Sequence, residues 1–216
     1  MEIKRCIFTL LLANMLLFLQ AQDPLRFRDE INALLQGDSA IDRNRVVLFT
    51  GSSSIRLWPD LKASFPKHNT LNRGFGGSEM SDLLYYASSL ILAYKPEKIF
   101  IYEGDNDLNA GKSAEEILTT ANQLLQRIRK ELPACKVIFI AAKPSPARWQ
   151  LKAKYENFNV KLAAWTKTQS QVYFADIWKP MLDKNGAPMQ NLFLEDNLHM
   201  NEQGYAIWTK VLVKFL

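Results

Sequence analysis

The sequence holds only two histidines, and one of them stands three residues after an acid, in Asp196-Asn197-Leu198-His199-Met200-Asn201. A carboxylate at that spacing can curl round to accept the proton on the imidazole Nδ1. That would fix the tautomer and leave Nε2 free to take a proton from a hydroxyl. The other reading is a capping Asp beside an incidental His, and the segment alone does not separate the two. His68 lies in the polar turn Pro66-Lys67-His68-Asn69 and reads as a surface residue.

A matching hydroxyl is available in Phe49-Thr50-Gly51-Ser52-Ser53-Ser54-Ile55, directly after an apolar run. Glycine lets a chain turn sharply out of a strand. A serine just beyond it stands at the start of the next helix, where unpaired N–H groups and the positive end of the dipole favour a developing oxyanion. The same serines can equally be simple helix caps. Two further turns supply hydrogen-bond donors. Asn72-Arg73-Gly74-Phe75-Gly76-Gly77-Ser78 has three glycines in four residues, so its backbone can approach a ligand or merely turn tightly. In Glu103-Gly104-Asp105-Asn106-Asp107 the Asn106 side chain can offer its NH₂ to a negative charge, although by itself this is an ordinary Asn/Asp/Gly turn. Four separate segments thus each hold one part of an acyl-transfer site: nucleophile, backbone donor, amide donor and acid–base pair.

Such parts need elements that bring them together. Val46–Phe49, Ile99–Tyr102, Val137–Ala141 and Val172–Ala175 are continuous apolar runs rich in Val, Ile and Phe, with Thr70–Asn72 as a fifth candidate. Continuous rather than alternating runs are what parallel strands covered on both faces require. Between them, Ala114, Ile117, Leu118, Ala121, Leu124, Leu125 and Ile128 form one helical stripe. Ser113 and Glu116 make a capping box at its start, and Pro133 marks its end. Ile207, Trp208, Val211, Leu212 and Phe215 predict a last helix capped by Asn201. Leu25–Leu35, Ser81–Leu92 and Ala153–Trp165 are further helical segments, and 143–149 and 184–197 read as long loops. Strand alternating with helix argues for an α/β sandwich with a mostly parallel sheet. Ligands bind such sheets beyond the carboxyl ends of the strands, and three of the four chemical segments follow a predicted strand.

In this order the four segments resemble the blocks of the SGNH (GDSL-type) hydrolases, over nearly the whole chain after residue 21. The similarity is greatest to the branches that resemble platelet-activating-factor acetylhydrolases and carbohydrate esterases. Gly51-Ser52-Ser53 is similar to the Gly-Asp-Ser block and points to Ser53. The glycine block points to Gly77, Gly104-Asp105-Asn106-Asp107 to Asn106, and Asp196-x-x-His199 to the acid and base. The resemblance implies a flavodoxin-like fold, a three-layer α/β/α sandwich with a mostly parallel five-stranded sheet, and cofactor-free acyl transfer. Ser53 would be the nucleophile, with His199 and Asp196 behind it and Ser53, Gly77 and Asn106 forming the oxyanion hole. The chain departs from the family where Ser52 stands in place of the usual Asp.

The remaining residues narrow the setting. Lys4 and Arg5, then a nearly apolar stretch from Cys6 to Leu19, then small Ala21, follow the grammar of a secretory signal peptide. The expected division is therefore a leader over 1–21 and a hydrolase domain over 22–216, secreted or periplasmic. The apolar stretch is shorter than the roughly 20 residues of a spanning helix, so no stable membrane insertion is expected after cleavage. An uncleaved anchor is the other reading. The net charge of +5 is spread along the chain without a basic, aromatic-interleaved stripe, which argues against nucleic acid. Cys135, the one cysteine left after cleavage, reads as buried structure, and two distant histidines make no metal cluster. The expected partner is a small acylated substrate. Acetylated carbohydrate fits an exported enzyme whose 143–149 loop carries Arg148 or Lys143 for an acidic sugar and Trp149 for stacking on a sugar ring; the other reading of Trp149 is packing in the core. The alternatives are a lysophospholipase or thioesterase acting on longer acyl chains, and a non-catalytic carbohydrate-binding module on the same scaffold.

Overall fold

The apolar runs form the centre of a single sheet. In the computed structural model, which describes residues 23–216, β1 is Val47–Gly51, β2 Thr70–Gly74, β3 Lys98–Tyr102, β4 Lys136–Ile140 and β5 Val172–Ala175. All neighbours are parallel and the order is β2-β1-β3-β4-β5. The segment expected to be a leader, 1–21, lies outside the described residues. The three inner strands are buried almost end to end, which explains their unbroken apolar sequences. β2 is an edge strand, half-buried over its first three residues. Its polar sequence Thr-Leu-Asn-Arg-Gly is therefore tolerated, and it gives the weakest strand signal in the chain.

Helices cover both faces. On one side α1 (Arg28–Leu35), α4 (Met80–Leu90), α6 (Ala114–Glu131) and α7 (Lys152–Lys167) bury Ile31, Leu83, Ala87, Leu124, Ile128, Phe158 and Leu162 against Leu48, Ile99, Ile101, Val137 and Phe139. On the other, α2 (Ser53–Arg56), α3 (Leu61–Ser64) and α8 (Glu202–Leu212) pack Ile55, Leu61, Tyr205 and Trp208 on Phe49, Phe100, Tyr102 and Ile138. The second face is unusually aromatic. Phe49 stacks on Phe100 at 4.4 Å, and Trp208 meets Trp58 at 5.8 Å and Tyr102 at 4.9 Å. Rings of this size bury a large area each and hold their neighbours in defined orientations.

Element existence follows the sequence closely, and element ends do not. The expected helix over Leu25–Leu35 is a 3₁₀ turn, Pro24–Phe27, followed by α1. Asp23 caps that turn by accepting from the Leu25 N–H, and Phe27 sets its ring edge-on to Phe75 at 5.0 Å. Phe215 leaves the last helix for a 3₁₀ turn, and the five-residue α5 (Asp105–Asn109) occupies the expected Asn/Asp/Gly turn. The Ser113–Glu116 capping box and the Asn201 cap form as the sequence predicts.

At Gly51 the chain leaves β1 toward α2. Its φ is +115°, and a Cβ there would lie 2.1 Å from the Tyr102 carbonyl oxygen of the neighbouring strand. Both the conformation and the close backbone contact exclude a side chain. Gly51→Ala should therefore lower stability by about 2 kcal/mol or more, read as a fall in the urea midpoint. An unchanged midpoint would mean that β1 and β3 are not this close.

Candidate active site

β1, β2 and β3 end level with one another, since Gly51 pairs with Gly74 on one side and with Tyr102 on the other. The residues that follow leave the sheet at one place. Ser52 donates its N–H to the Tyr102 carbonyl (3.0 Å), and Phe75 donates to the Gly51 carbonyl (2.9 Å). Ser53 then opens α2. Its Oγ lies 3.0 Å from His199 Nε2. Neither flanking serine shares that placement: Ser52 Oγ lies against Asn106, and Ser54 is buried, with its carbonyl accepting from Tyr205.

His199 is held from behind by a tight turn. Asp196 Oδ2 lies 2.5 Å from His199 Nδ1, and Oδ1 accepts the N–H groups of Leu198 and His199 at 2.9 Å each. Asn197 takes the left-handed conformation (φ 57°) that curls the segment. A bridge between Phe193 and Met200 and the Leu194 N–H bond to the His199 carbonyl close its base. Desolvation raises the Asp196 pKa, but the His199 ring and the two backbone donors together outweigh it and bring the value down to about 2. The carboxylate is thus ionised wherever the imidazole needs it. With Nδ1–H committed to Asp196, Nε2 is left as the acceptor facing the Ser53 hydroxyl.

Three donors lie beside this pair. Among the described residues, the N–H groups of Ser53 and Gly77 have no acceptor. The Asn106 side chain sits between the two segments, its Nδ2 donating to Ser52 Oγ (2.6 Å) and to the Ser78 carbonyl (2.8 Å). Asn106 is thereby tied to the residue before Ser53 and the residue after Gly77. In this resting arrangement both of its N–H bonds are engaged, so an oxyanion would share or displace the Ser52 contact. Ser52 accepts here as a neutral hydroxyl, which places no carboxylate at a point where negative charge would develop.

The glycine loop is braced from several sides that the sequence did not mark. Glu30 of α1 accepts the Gly76 N–H (2.9 Å). Asn72 accepts from Gly74 N–H and donates to the Ile55 carbonyl, joining the loop to α2. Gly74 must lack a side chain, because a Cβ would lie 2.4 Å from the Arg56 nitrogen. Ser78 donates its hydroxyl to Glu103 Oε1 (2.6 Å). These partners are 17 to 46 residues apart or pair a residue with its near neighbour's backbone, and no spacing rule connects them. Burial, reinforced by the nearby Asp107, pushes the Glu103 carboxyl well above the usual range and favours its neutral form.

Three residues considered for substrate contact are engaged within the fold. The Arg148 side chain is 14% exposed; Nη1 donates to Asp105 (2.6 Å) and Nη2 to Asn106 Oδ1 (3.1 Å). Trp149 stacks on Trp178 at 5.9 Å and has Lys152 over its ring. Lys143, likewise expected to meet a sugar acid, is 1% exposed and pairs with Asp105 at 3.0 Å. The reason is the need to neutralise a buried carboxylate. Burial raises the Asp105 pKa, but Lys143, Arg148 and Tyr155 more than offset this and hold the group well below the usual range.

The sequence matches the model of the GDSL-like lipase/acylhydrolase family over residues 35–207, and the chain belongs to that family. Solved structures agree on the fold. A candidate platelet activating factor from Streptococcus pneumonia is similar with a TM-score of 0.78 at 20% identity, covering 97% of this chain and 98% of its own. A GDSL-like lipase from Bacteroides thetaiotaomicron gives 0.71 at 19% identity, over 89% and 96%. A carbohydrate esterase family 3 protein from Talaromyces cellulolyticus gives 0.61 at 18% identity, over 79% and 95%. No curated protein sequence matches the chain.

The upward shift of Glu103 has a measurable consequence. Its folded pKa is raised, so the unfolded chain gives up this proton first as pH rises. No penalty exists below the unfolded value of about 4.3. Above it, stability is lost with rising pH until the folded group also ionises. Glu103→Gln removes that penalty, so the variant should gain in urea midpoint over the parent at pH 8 and show no gain at pH 4. An equal difference at both pH values would mean that Glu103 is ionised in the fold.

Proposed function

We propose that this chain is a secreted serine esterase that removes short acyl groups, acetyl foremost, from a polar carrier such as a carbohydrate. The observation that carries the reading is the continuous line from Asp196 through His199 to Ser53, at 2.5 and 3.0 Å. Ser53 Oγ attacks the ester carbonyl carbon and passes its proton to His199 Nε2. The carbonyl oxygen becomes an oxyanion facing the Ser53 and Gly77 N–H groups and the Asn106 amide. Collapse breaks the ester C–O bond, and the departing alcohol takes the proton from His199. Water then attacks the acyl-Ser53 carbonyl and gives a proton to the same nitrogen; the acyl–Oγ bond breaks, Ser53 Oγ takes that proton back from His199, and the carboxylic acid leaves. Every group in this sequence is a side chain or backbone amide of the chain, so no cofactor is required. Membership of an acylhydrolase family supports the chemistry. The carbohydrate esterase among the similar folds supports the carrier, and the leader-like residues 1–21 support export.

A longer acyl chain is the second reading. Leu57 and Leu194 are exposed apolar residues whose N–H groups bond the Ser53 and His199 carbonyls, so both stand beside the reacting pair. Hydrolysis of a p-nitrophenyl ester series by residues 22–216 separates the two. A steep fall in kcat/KM from acetate to octanoate supports the acetylesterase, and a rise supports the longer chain. Ser53→Ala should abolish hydrolysis of every member while leaving the melting curve unchanged. Turnover by that variant would remove Ser53 as nucleophile. Folded protein with no activity on any ester would favour a binding module, which glycan binding would then test.

Asp196→Asn should keep the turn but lose the fixed tautomer of His199. A fall in kcat of about a thousand- to ten-thousand-fold is expected, with KM little changed. A loss under tenfold would show that another group orients the imidazole.

A further inference from the structure

An oxyanion hole built on a side-chain amide has a weakness that backbone donors lack. A half-turn about χ2 exchanges Nδ2 and Oδ1 at almost no cost in shape, and the flipped amide presents a lone pair to the negative charge. Something must make the two ends of Asn106 unequal. On the Nδ2 side the structure offers the Ser78 carbonyl, which can only accept, and the Ser52 hydroxyl, which can do either. On the Oδ1 side it offers Arg148 Nη2, which can only donate. Ser78 and Arg148 therefore oppose each other across the amide and permit a single orientation.

We infer that Arg148 is a positioning residue of the esterase site, its guanidinium locking the Asn106 amide with the NH₂ toward the oxyanion. The inference rests on the esterase reading above. The fork itself is fixed by Asp105, which Nη1 grips at 2.6 Å and which Tyr102 (2.8 Å), Lys143 (3.0 Å) and Tyr155 hold from its other sides. Arginine suits this place because one planar group meets a carboxylate and an amide oxygen together, which a lysine ammonium on a flexible stem does not reproduce. The charges also favour it. Lys143 and Arg148 face the single anion Asp105, leaving one net positive charge behind Asn106. A cation donating to Oδ1 polarises the amide and strengthens its N–H groups as donors.

The segment carrying Arg148 also touches the other half of the site. It runs as a 3₁₀ turn, Pro146–Leu151, with Arg148 itself at non-helical angles (φ −118°, ψ 17°). Beside it, the Ala147 N–H bonds the Asn197 carbonyl at 3.1 Å, inside the turn that carries Asp196 and His199. One loop thus braces the amide donor and the acid–base turn.

The test uses p-nitrophenyl acetate, a neutral substrate with no anionic group for an arginine to bind. Arg148→Ala and Arg148→Lys should both lower kcat about 10- to 100-fold, somewhat less than deletion of a whole oxyanion donor, with KM unchanged. Lysine keeps an ion pair to Asp105 and so guards against misfolding. In an Asn106→Ala background the same Arg148 substitutions should add less than about a threefold loss, because the group they act through is gone. Undiminished kcat on this ester, or a full further loss in the Asn106→Ala background, would overturn the inference. A raised KM confined to acidic acetyl esters would overturn it in favour of substrate binding. The Asn106 side-chain amide signals in a ¹⁵N spectrum, assigned by their disappearance in Asn106→Ala, read the clamp without turnover. They should be sharp in the parent and broadened or shifted in Arg148→Lys, and no change would refute the clamp even if the parent hydrolyses no ester.

Discussion

The register of three strands is the constraint on which the site depends. Because Gly51 lies level with both Gly74 and Tyr102, the segments that follow β1, β2 and β3 leave the sheet at one level and meet above it. A one-residue slip of β2 against β1 would reverse which side chains face each layer and would carry the glycine loop away from α2. The register is enforced where the chains turn. Gly51 lies against the Tyr102 carbonyl, Gly74 against the Arg56 nitrogen, and Asn72 bonds to the Ile55 carbonyl. Distances of about 3 Å between groups more than a hundred residues apart, as in Ser53 and His199, are possible only because a packed, twisted sheet is stiff at this point.

Above the sheet the protein manages buried charge in two different ways. Asp105 is kept ionised by surrounding it with two cations and two phenols. Glu103, two residues earlier, has among the described residues no cation in hydrogen-bond contact and a single donor in Ser78, and burial favours its protonated form. For the oxyanion of the proposed reaction the outcome is the same: neither acid would oppose a negative charge developing near Asn106. The positive excess lies on the Arg148 side, and the carboxyl behind Ser78 is neutral. Ser52 contributes to the same pattern, since a hydroxyl accepts from Asn106 without adding a charge.

How much of this was legible in the sequence depended on whether the information was local. The Asp196–His199 pair was readable because three residues of spacing bring the two groups together within one turn. Ser53, Gly77 and Asn106 were readable because each follows the end of a strand, and strand ends converge in a parallel sheet. The core helices were readable from their stripes. Partnerships across the layers were not. Nothing about Glu30 in the sequence indicates that it accepts the Gly76 N–H. Lys143, Arg148 and Trp149 were singled out as possible substrate contacts of one loop, with core packing the other reading for Trp149, and all three are engaged within the fold. The competing demand was Asp105, whose burial at the end of β3 draws in whatever cations the nearest loop carries, and no property of the 143–149 segment by itself reveals that demand.

The contacts around the site also reach past the stretch that identifies the family. The matched region begins at residue 35 and ends at 207, yet Glu30, Phe27 and Arg26 lie before it and Trp208 just after. Glu30 holds Gly76, Phe27 packs edge-on to Phe75, and Arg26 pairs with Asp82 at 2.5 Å near the start of α4. Trp208 closes the opposite face beneath Tyr102 and Trp58. On the proposed reading, the nucleophile, base, acid and oxyanion donors all lie within the shared region. Holding a glycine loop still enough for its amide to bind a transient charge is a packing problem. In this chain part of the solution comes from an N-terminal turn and helix that pack on that loop from outside the shared region.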